Sequence, residues 1–356
     1  MLHFSKNRTA SRETHSLPLR LLSWALCFTL AICLAGRSAQ SQTLIPSRSD
    51  RLDLGPLPSA FQIHWPEPPL IEHEEVATSA AEFASRLRPR TRMHVRGTLS
   101  TVTLSVSDVE LVMSAEARIK RLNIAPGVHR IKVIGGSFGE IEVGIPATEN
   151  DFATDLYFDR VHVAPDSDQY GLAFALRAKR AAVVHCNVQA FVYSVWVGGT
   201  APMQSTDLIF LGNEFNSTTG NEATFRMHDA LRTVVVENRF TNGTASMINS
   251  KHNYRIHGIS GQNFAARNVL IHSGVMIGEG GGDPMEEING YWFLENTFYQ
   301  LRPSLYQMGA NSVRNAVIKN NRVYNGSPMT CLVCNWPLPS SWTAIGNRLL
   351  PYRPHP

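Results

Sequence analysis

The sequence predicts an all-β fold, a right-handed single-stranded parallel β-helix (a solenoid) of about nine or ten coils, capped at its N-terminal end by a helix. Three observations predict it. Short apolar segments recur at a spacing near 25 residues, Asn stands at a fixed place in most of them, and one amphipathic segment precedes the first.

The recurring segments are VIGGSF (133–138), FDRVHV (158–163), VVHCNV (183–188), FLGNEF (210–215), VVENRF (235–240), FLENTF (293–298), IKNNRV (318–323) and AIGNRL (344–349). Their last residues, Phe138, Val163, Val188, Phe215, Phe240, Phe298, Val323 and Leu349, are 25, 25, 27, 25, 58, 25 and 26 apart. The interval of 58 holds two coils and an insertion, with NVLIHSGV (268–275) as a degenerate copy. Asn213, Asn238, Asn296, Asn321 and Asn347 stand two places before the final apolar residue. Asn tolerates a left-handed corner, and its amide can bond the next coil. A propeller blade is too long for this period, and a leucine-rich repeat needs a Leu frame that is absent.

The segments before the repeat follow in order. Arg8, Arg12 and Arg20 precede an apolar run from Leu21 to Ala35, with Gly36, Ser38 and Ala39 after it. This is the pattern of a signal peptide over 1–39, too short for a membrane span and implying a secreted or periplasmic, cell-envelope protein. Residues 40–73 are rich in Pro and Ser and read as a linker. Residues 74–88 read as the capping helix, 74–350 as the β-helix domain, and 351–356 as a tail. The net charge of +4 carries no basic run, which argues against a nucleic-acid partner. Nothing calls for an oligomer, so a monomer is expected. Cys186 falls inside a repeat and is expected to be buried, while Cys331 and Cys334 read as a redox pair or two core thiols.

The densest cluster of titratable side chains holds Arg226, His228, Asp229, Lys251, His252, Arg255 and His257. Arg226 and Lys251 each lie 11 residues past a repeat end, Phe215 and Phe240. Equal offsets place them in one column, about 5 Å apart on adjacent coils. Two stacked cations repel unless an anion sits between them, and that repulsion would make Lys251 a better base. Trp196 and Tyr254 are candidate stacking platforms for a sugar, among the aromatics Tyr193, Tyr291, Trp292, Tyr299 and Tyr306. Glu279, Asp283 and Glu286, on a Gly-rich insertion, are candidate oxygen ligands for Ca2+.

This organisation resembles the pectate-lyase-like superfamily over roughly residues 75–350. Locally, Gly243-Thr244-Ala245-Ser246-Met247-Ile248-Asn249-Ser250-Lys251 resembles the G-E-x-E-I-I-x-x-K segment of chondroitinase-B-like and alginate lyases. Thr244 and Ser246 replace both glutamates that help bind calcium there. The resemblance implies a secreted carbohydrate-active protein whose partner is an acidic polysaccharide, with lyase or epimerase chemistry. It gives Lys251 the role of base and Arg226 that of carboxylate partner, with His228 or His252 returning the proton. Arg255, Asp229, Trp196 and Tyr254 would bind substrate. The lost glutamates favour the other reading, a non-catalytic glycan-binding, adhesion or structural envelope protein.

Overall fold

The computed structural model describes residues 63–144, 151–166, 172–198, 204–218, 224–242, 252–257, 259–272, 274–277, 287–299, 306–308, 313–324, 342–351 and 353–354. All lie in the compact unit Asp53–Pro356. The segment expected to be a signal peptide, the acidic insertion and Cys331 and Cys334 fall outside the described residues. Among those described, no helix is long and apolar enough to cross a membrane.

Every strand pairing is parallel. One sheet (sheet A) has twelve strands, in chain order except that each neighbour is one coil away. The other (sheet B) takes one seven-residue strand from each early coil, as in Arg118–Ile124 and Ser137–Val143. From His162 onward each coil contributes two shorter strands instead, such as Asn187–Ala190 and Tyr193–Val197. The coil therefore runs from sheet A round a corner, along two faces of sheet B, and back. This is the right-handed parallel β-helix expected. Twelve strands exceed the nine or ten coils counted from the repeat because the first coils are shorter. Arg92 and Glu110 on adjacent coils are 18 residues apart, and Arg130 and Asp108 are 22 apart.

The helix is also shorter than 74–88. His73–Ala77 is a strand of sheet A, and the α-helix runs Ala80–Arg86. Ser79 caps it by accepting the Glu82 N–H at 3.2 Å, and Glu82 accepts the Thr78 N–H at 2.8 Å. This reciprocal pairing satisfies two donors at the helix start and so fixes it there. Phe83, 1% exposed, closes the end of the core.

The interior is one continuous column of Val, Leu, Ile and Phe. The repeat-end residues stack as expected, with Val188, Phe215, Phe240, Leu270 and Phe298 in register. The Phe215 and Phe240 rings lie 5.3 Å apart. The Asn column is a hydrogen-bonded ladder with one more rung than the sequence showed, Asn268. The side-chain oxygen of Asn238 accepts both the backbone N–H (2.9 Å) and the side-chain amide (2.8 Å) of Asn213. Asn268, Asn296, Asn321 and Asn347 repeat the arrangement. The left-handed residue at the corner is not the Asn but the one before it: His185, Gly212, Glu237, Arg267, Glu295, Asn320 and Gly346. The Asn holds the corner from inside, where its amide would otherwise be unsatisfied.

A second column was not read from the sequence. On nine consecutive sheet A strands, from Val109–Met113 to Val313–Lys319, one residue at or near the start has positive φ: Asp108, Arg130, Asp155, Arg180, Asp207, Arg232, Gln262, Gly290 and Asn315. Each Asp binds the Arg of the following coil through two bonds, at 2.6 and 2.7 Å for Asp108–Arg130, 2.6 and 2.5 Å for Asp155–Arg180, and 2.8 and 2.6 Å for Asp207–Arg232. The three carboxylates also accept backbone N–H groups from the arm ahead of the first strand. Leu70 donates to Asp108 (3.0 Å), Glu67 to Asp155 (3.0 Å) and His64 to Asp207 (3.4 Å).

The spacing of those donors has a simple origin. They are three residues apart, and their acceptors two coils apart. Pro66, Pro68 and Pro69 favour the polyproline II conformation, which advances about 9.3 Å per three-residue turn. Two coils rise about 9.6 Å. The arm thus runs along the β-helix with one donor meeting one carboxylate per turn.

Candidate functional site

The second strand of each later coil builds one face of sheet B. Along it, Ala175, Trp196, Arg226, Arg255 and Met276 are in register on successive coils. His228 and His257 are in register two residues further along. The structure therefore brings Trp196, Arg226 and Arg255 into one column, with His228 and Asp229 at its edge.

The register places Arg255 beside Arg226, where the sequence led Lys251 to be expected. The equal offsets misled because this turn is longer: ladder residues Asn238 and Asn268 are 30 apart, against 25 for Asn213 and Asn238. Lys251 itself, and Glu279, Asp283 and Glu286, lie outside the described residues. His252 begins its strand and pairs with Gly274 ahead of a register shift. Tyr254 pairs with Phe225, in the column that runs through the core residues Val195 and Phe225 rather than the Arg226 column.

Local packing orients the described side chains. Arg226, half-buried, donates from Nη1 to the Tyr193 hydroxyl at 3.3 Å, and its guanidinium lies 5.7 Å from the centre of that ring. Stacking against an aromatic face restrains the guanidinium without cancelling its charge. The Trp196 indole lies over Gly198, where an added Cβ would stand 3.0 Å from the ring. Asp229, at φ 52 where the strand turns back to sheet A, is 1% exposed. Its carboxylate lies 2.6 Å from Nδ1 of His228, whose side chain is 30% exposed. A buried carboxylate this close to Nδ1 restrains the ring, as a proton-transferring histidine needs. Toward the N-terminal coils the same column reaches Glu142, which Arg121 already neutralises at 2.6 Å. Toward its other end the column carries Arg226 and Arg255 in register.

A second basic feature escaped the sequence reading. A cleft of about 510 Å³ at the corner of the last coils is lined by Arg267, Glu295, Asn320, Arg322, Gly346 and Arg348. Arg322 and Arg348 are in register on adjacent coils. The recurring Asn-Arg pairs 238–239, 321–322 and 347–348 were its signal. Among the described residues no cluster of three or more His, Cys, Asp or Glu is grouped to hold a metal.

No family model matches this chain, and no curated protein matches it. Solved structures do. A pectate lyase from Bacillus sp. N165 in complex with trigalacturonate is 16% identical, with a TM-score of 0.43 over 65% of this chain and 84% of that one. The Dettilon tailspike protein is 14% identical, with a TM-score of 0.43 over 76% and 62%. A double mutant of the periplasmic alginate epimerase AlgG is 11% identical, with a TM-score of 0.31 over 70% and 69%. The fold itself stands on the coil-by-coil register and the unbroken parallel pairing. It is a right-handed parallel β-helix. One fold hosts unrelated activities, so function has to come from the site.

Proposed function

We propose that this protein is a secreted, monomeric carbohydrate-active β-helix that binds an acidic polysaccharide along the Trp196–Arg226–Arg255 column and acts on it by lyase or epimerase chemistry. The observation that carries the reading is the register of Arg226 with Arg255 beside Trp196, with the His228–Asp229 pair at its edge. Arginines in register on strands about 5 Å apart offer two cations to a polyuronate, and the indole offers a face to a sugar ring.

Arg226 pairs with the uronate carboxylate and neutralises it, which acidifies the C–H bond on the neighbouring carbon. Lys251 takes that proton. In a lyase the bond to the glycosidic oxygen then breaks, a C=C double bond forms, and His228, oriented by Asp229, protonates the departing oxygen. In an epimerase the proton returns to the same carbon from the opposite face. Glu279, Asp283 and Glu286 are the residues that would hold Ca2+, which would add charge at the carboxylate; no step above depends on it.

The test is ultraviolet absorbance of the unsaturated uronate during incubation of the mature protein with polygalacturonate, polymannuronate and chondroitin, with a proton-exchange assay for epimerisation. Product formation that disappears in Lys251→Ala and Asp229→Asn supports the reading. Absence of both activities together with retained binding sinks the catalytic part.

The cleft lined by Arg267, Arg322 and Arg348 favours a second reading, in which the chain binds an acidic glycan without transforming it. Loss of binding in Arg322→Ala/Arg348→Ala, with Arg226→Ala unaffected, would establish that reading instead.

A further inference from the structure

The last coils carry an aromatic pair that the Arg226 column does not use. Ile271, Tyr299, Tyr324 and Leu350 are in register on successive coils. Phe298 and Val323, next to the tyrosines in sequence, are 0% exposed and fill the core, so strand alternation turns Tyr299 and Tyr324 outward. Their rings lie 5.2 Å apart and 10° from parallel. The same alternation puts Arg322 on the outward side of the Tyr324 strand, about 7 Å from Tyr324 along it. Arg348 stands beside Arg322 on the last coil. Both arginines are exposed and line the cleft at this corner. With Arg267 paired to Glu237 at 2.9 Å, the two still outweigh Glu295, the carboxylate of the lining.

The chain's own C-terminal segment reaches this spot. The Arg353 guanidinium lies 4.1 Å from the centre of the Tyr324 ring and 5.6 Å from that of Tyr299, and it donates to the Tyr299 hydroxyl at 2.9 Å. Stacked in line beyond Tyr324, it would stand far further from Tyr299. It therefore lies across the pair. Tyr299 is 6% exposed and backs the arrangement, Tyr324 is half-buried, and Arg353 itself is exposed. An exposed arginine held by ring faces and one hydroxyl is a contact that a ligand can displace at small cost.

We propose, resting on the reading in which the Arg322–Arg348 cleft holds an acidic glycan, that Tyr324 extends this cleft into a platform for a uronate ring, and that Arg353 covers the platform until the sugar displaces it. A tyrosine face takes the apolar C–H side of a pyranose, while a guanidinium on the same outward face takes its carboxylate. The Tyr299 hydroxyl, released by Arg353, is then available to the sugar. The C-terminal segment thereby sets the threshold at which this cleft fills.

Calorimetric titration of oligogalacturonate into the Arg226→Ala protein, which reads the cleft apart from the Trp196 column, tests this. Adding Arg353→Ala is expected to tighten binding about fivefold, the worth of one exposed cation–π contact and one hydrogen bond. A tail contact with a merely structural role would give no such gain. Tyr324→Leu on the same background is expected to weaken binding and to cancel the effect of Arg353→Ala. Unchanged or weaker binding in Arg353→Ala, with binding still lost in Arg322→Ala/Arg348→Ala, would overturn the proposal and leave the cleft reading standing. No binding by the Arg226→Ala protein, or binding indifferent to Arg322→Ala/Arg348→Ala, would overturn both.

Discussion

The carboxylate of Asp229 lies 2.6 Å from Nδ1 of His228, and that contact ties a side chain that solvent can reach to a carboxylate that it cannot. Asp229→Asn keeps the shape and tolerates the left-handed backbone but removes the charge. If His228 transfers a proton, the variant is expected to lose about 10²-fold or more in kcat with little change in KM. Steady-state kinetics on the active glycan check it; an unchanged kcat would leave His228 a structural residue.

The Asn ladder sets a stability prediction. Asn238 accepts two donors from Asn213 and gives its amide to the Phe210 and Val236 carbonyls. Asn238→Ala strands several buried polar groups and is expected to cost about 3 kcal/mol or more. Asn347→Ala, at the half-buried end of the ladder, is expected to cost about 1 kcal/mol. Denaturant midpoints measure both, and equal shifts would mean that the ladder does not act through burial.

Cys186 sits where the ladder's next rung would be. Its sulfur takes the Val161 N–H at 3.4 Å and faces the Phe158 carbonyl at 3.7 Å, the two partners an Asn would meet there. Burial pushes its thiol up to about 12. It is expected to resist alkylation in the native protein, as mass spectrometry of its peptide would show. Cys186→Asn is expected to hold or raise the melting temperature by extending the ladder; a fall would contradict this.

The arm carries a pH dependence. Hydrogen bonds from Arg130 hold the Asp108 carboxyl below its ordinary 3.8, against the opposing effect of burial. For Asp207 burial is the largest influence and raises the value, but hydrogen bonds from Arg232 and His64 outweigh it. Both values are lowered on folding. Their contribution is therefore complete above about 3.8 and disappears as pH falls through the lower folded values. Arm protection in hydrogen exchange is expected to persist at pH 5 and to be lost as the pH falls below the lowered folded values while the core stays protected. Loss of arm protection already at pH 5 would contradict this.

The coil architecture was legible because its signal is a period: Phe215, Phe240 and Asn213, Asn238 recur at fixed offsets and survive as stacked columns. The helix was read too long because His73–Ala77 has the polarity of an amphipathic helix yet pairs edge to edge with Thr91–Val95. Asp155, Arg180, Asp207 and Arg232 recur as regularly as the Asn residues. They went unread because a left-handed break inside a strand leaves no apolar pattern. Arg226 and Asp229 were found by charge density. Arg255 was named with them but not as the partner of Arg226, since a single longer turn after Phe240 shifts the register and puts Arg255 where Lys251 was expected.

The most direct measurement is calorimetric titration of the mature protein with oligogalacturonate, oligomannuronate and a neutral cello-oligosaccharide, alongside Arg226→Ala. The account predicts binding to at least one uronate and none to the neutral sugar, with Arg226→Ala weakening it by about tenfold or more. Unchanged affinity in Arg226→Ala, or equal binding of the neutral sugar, would contradict it.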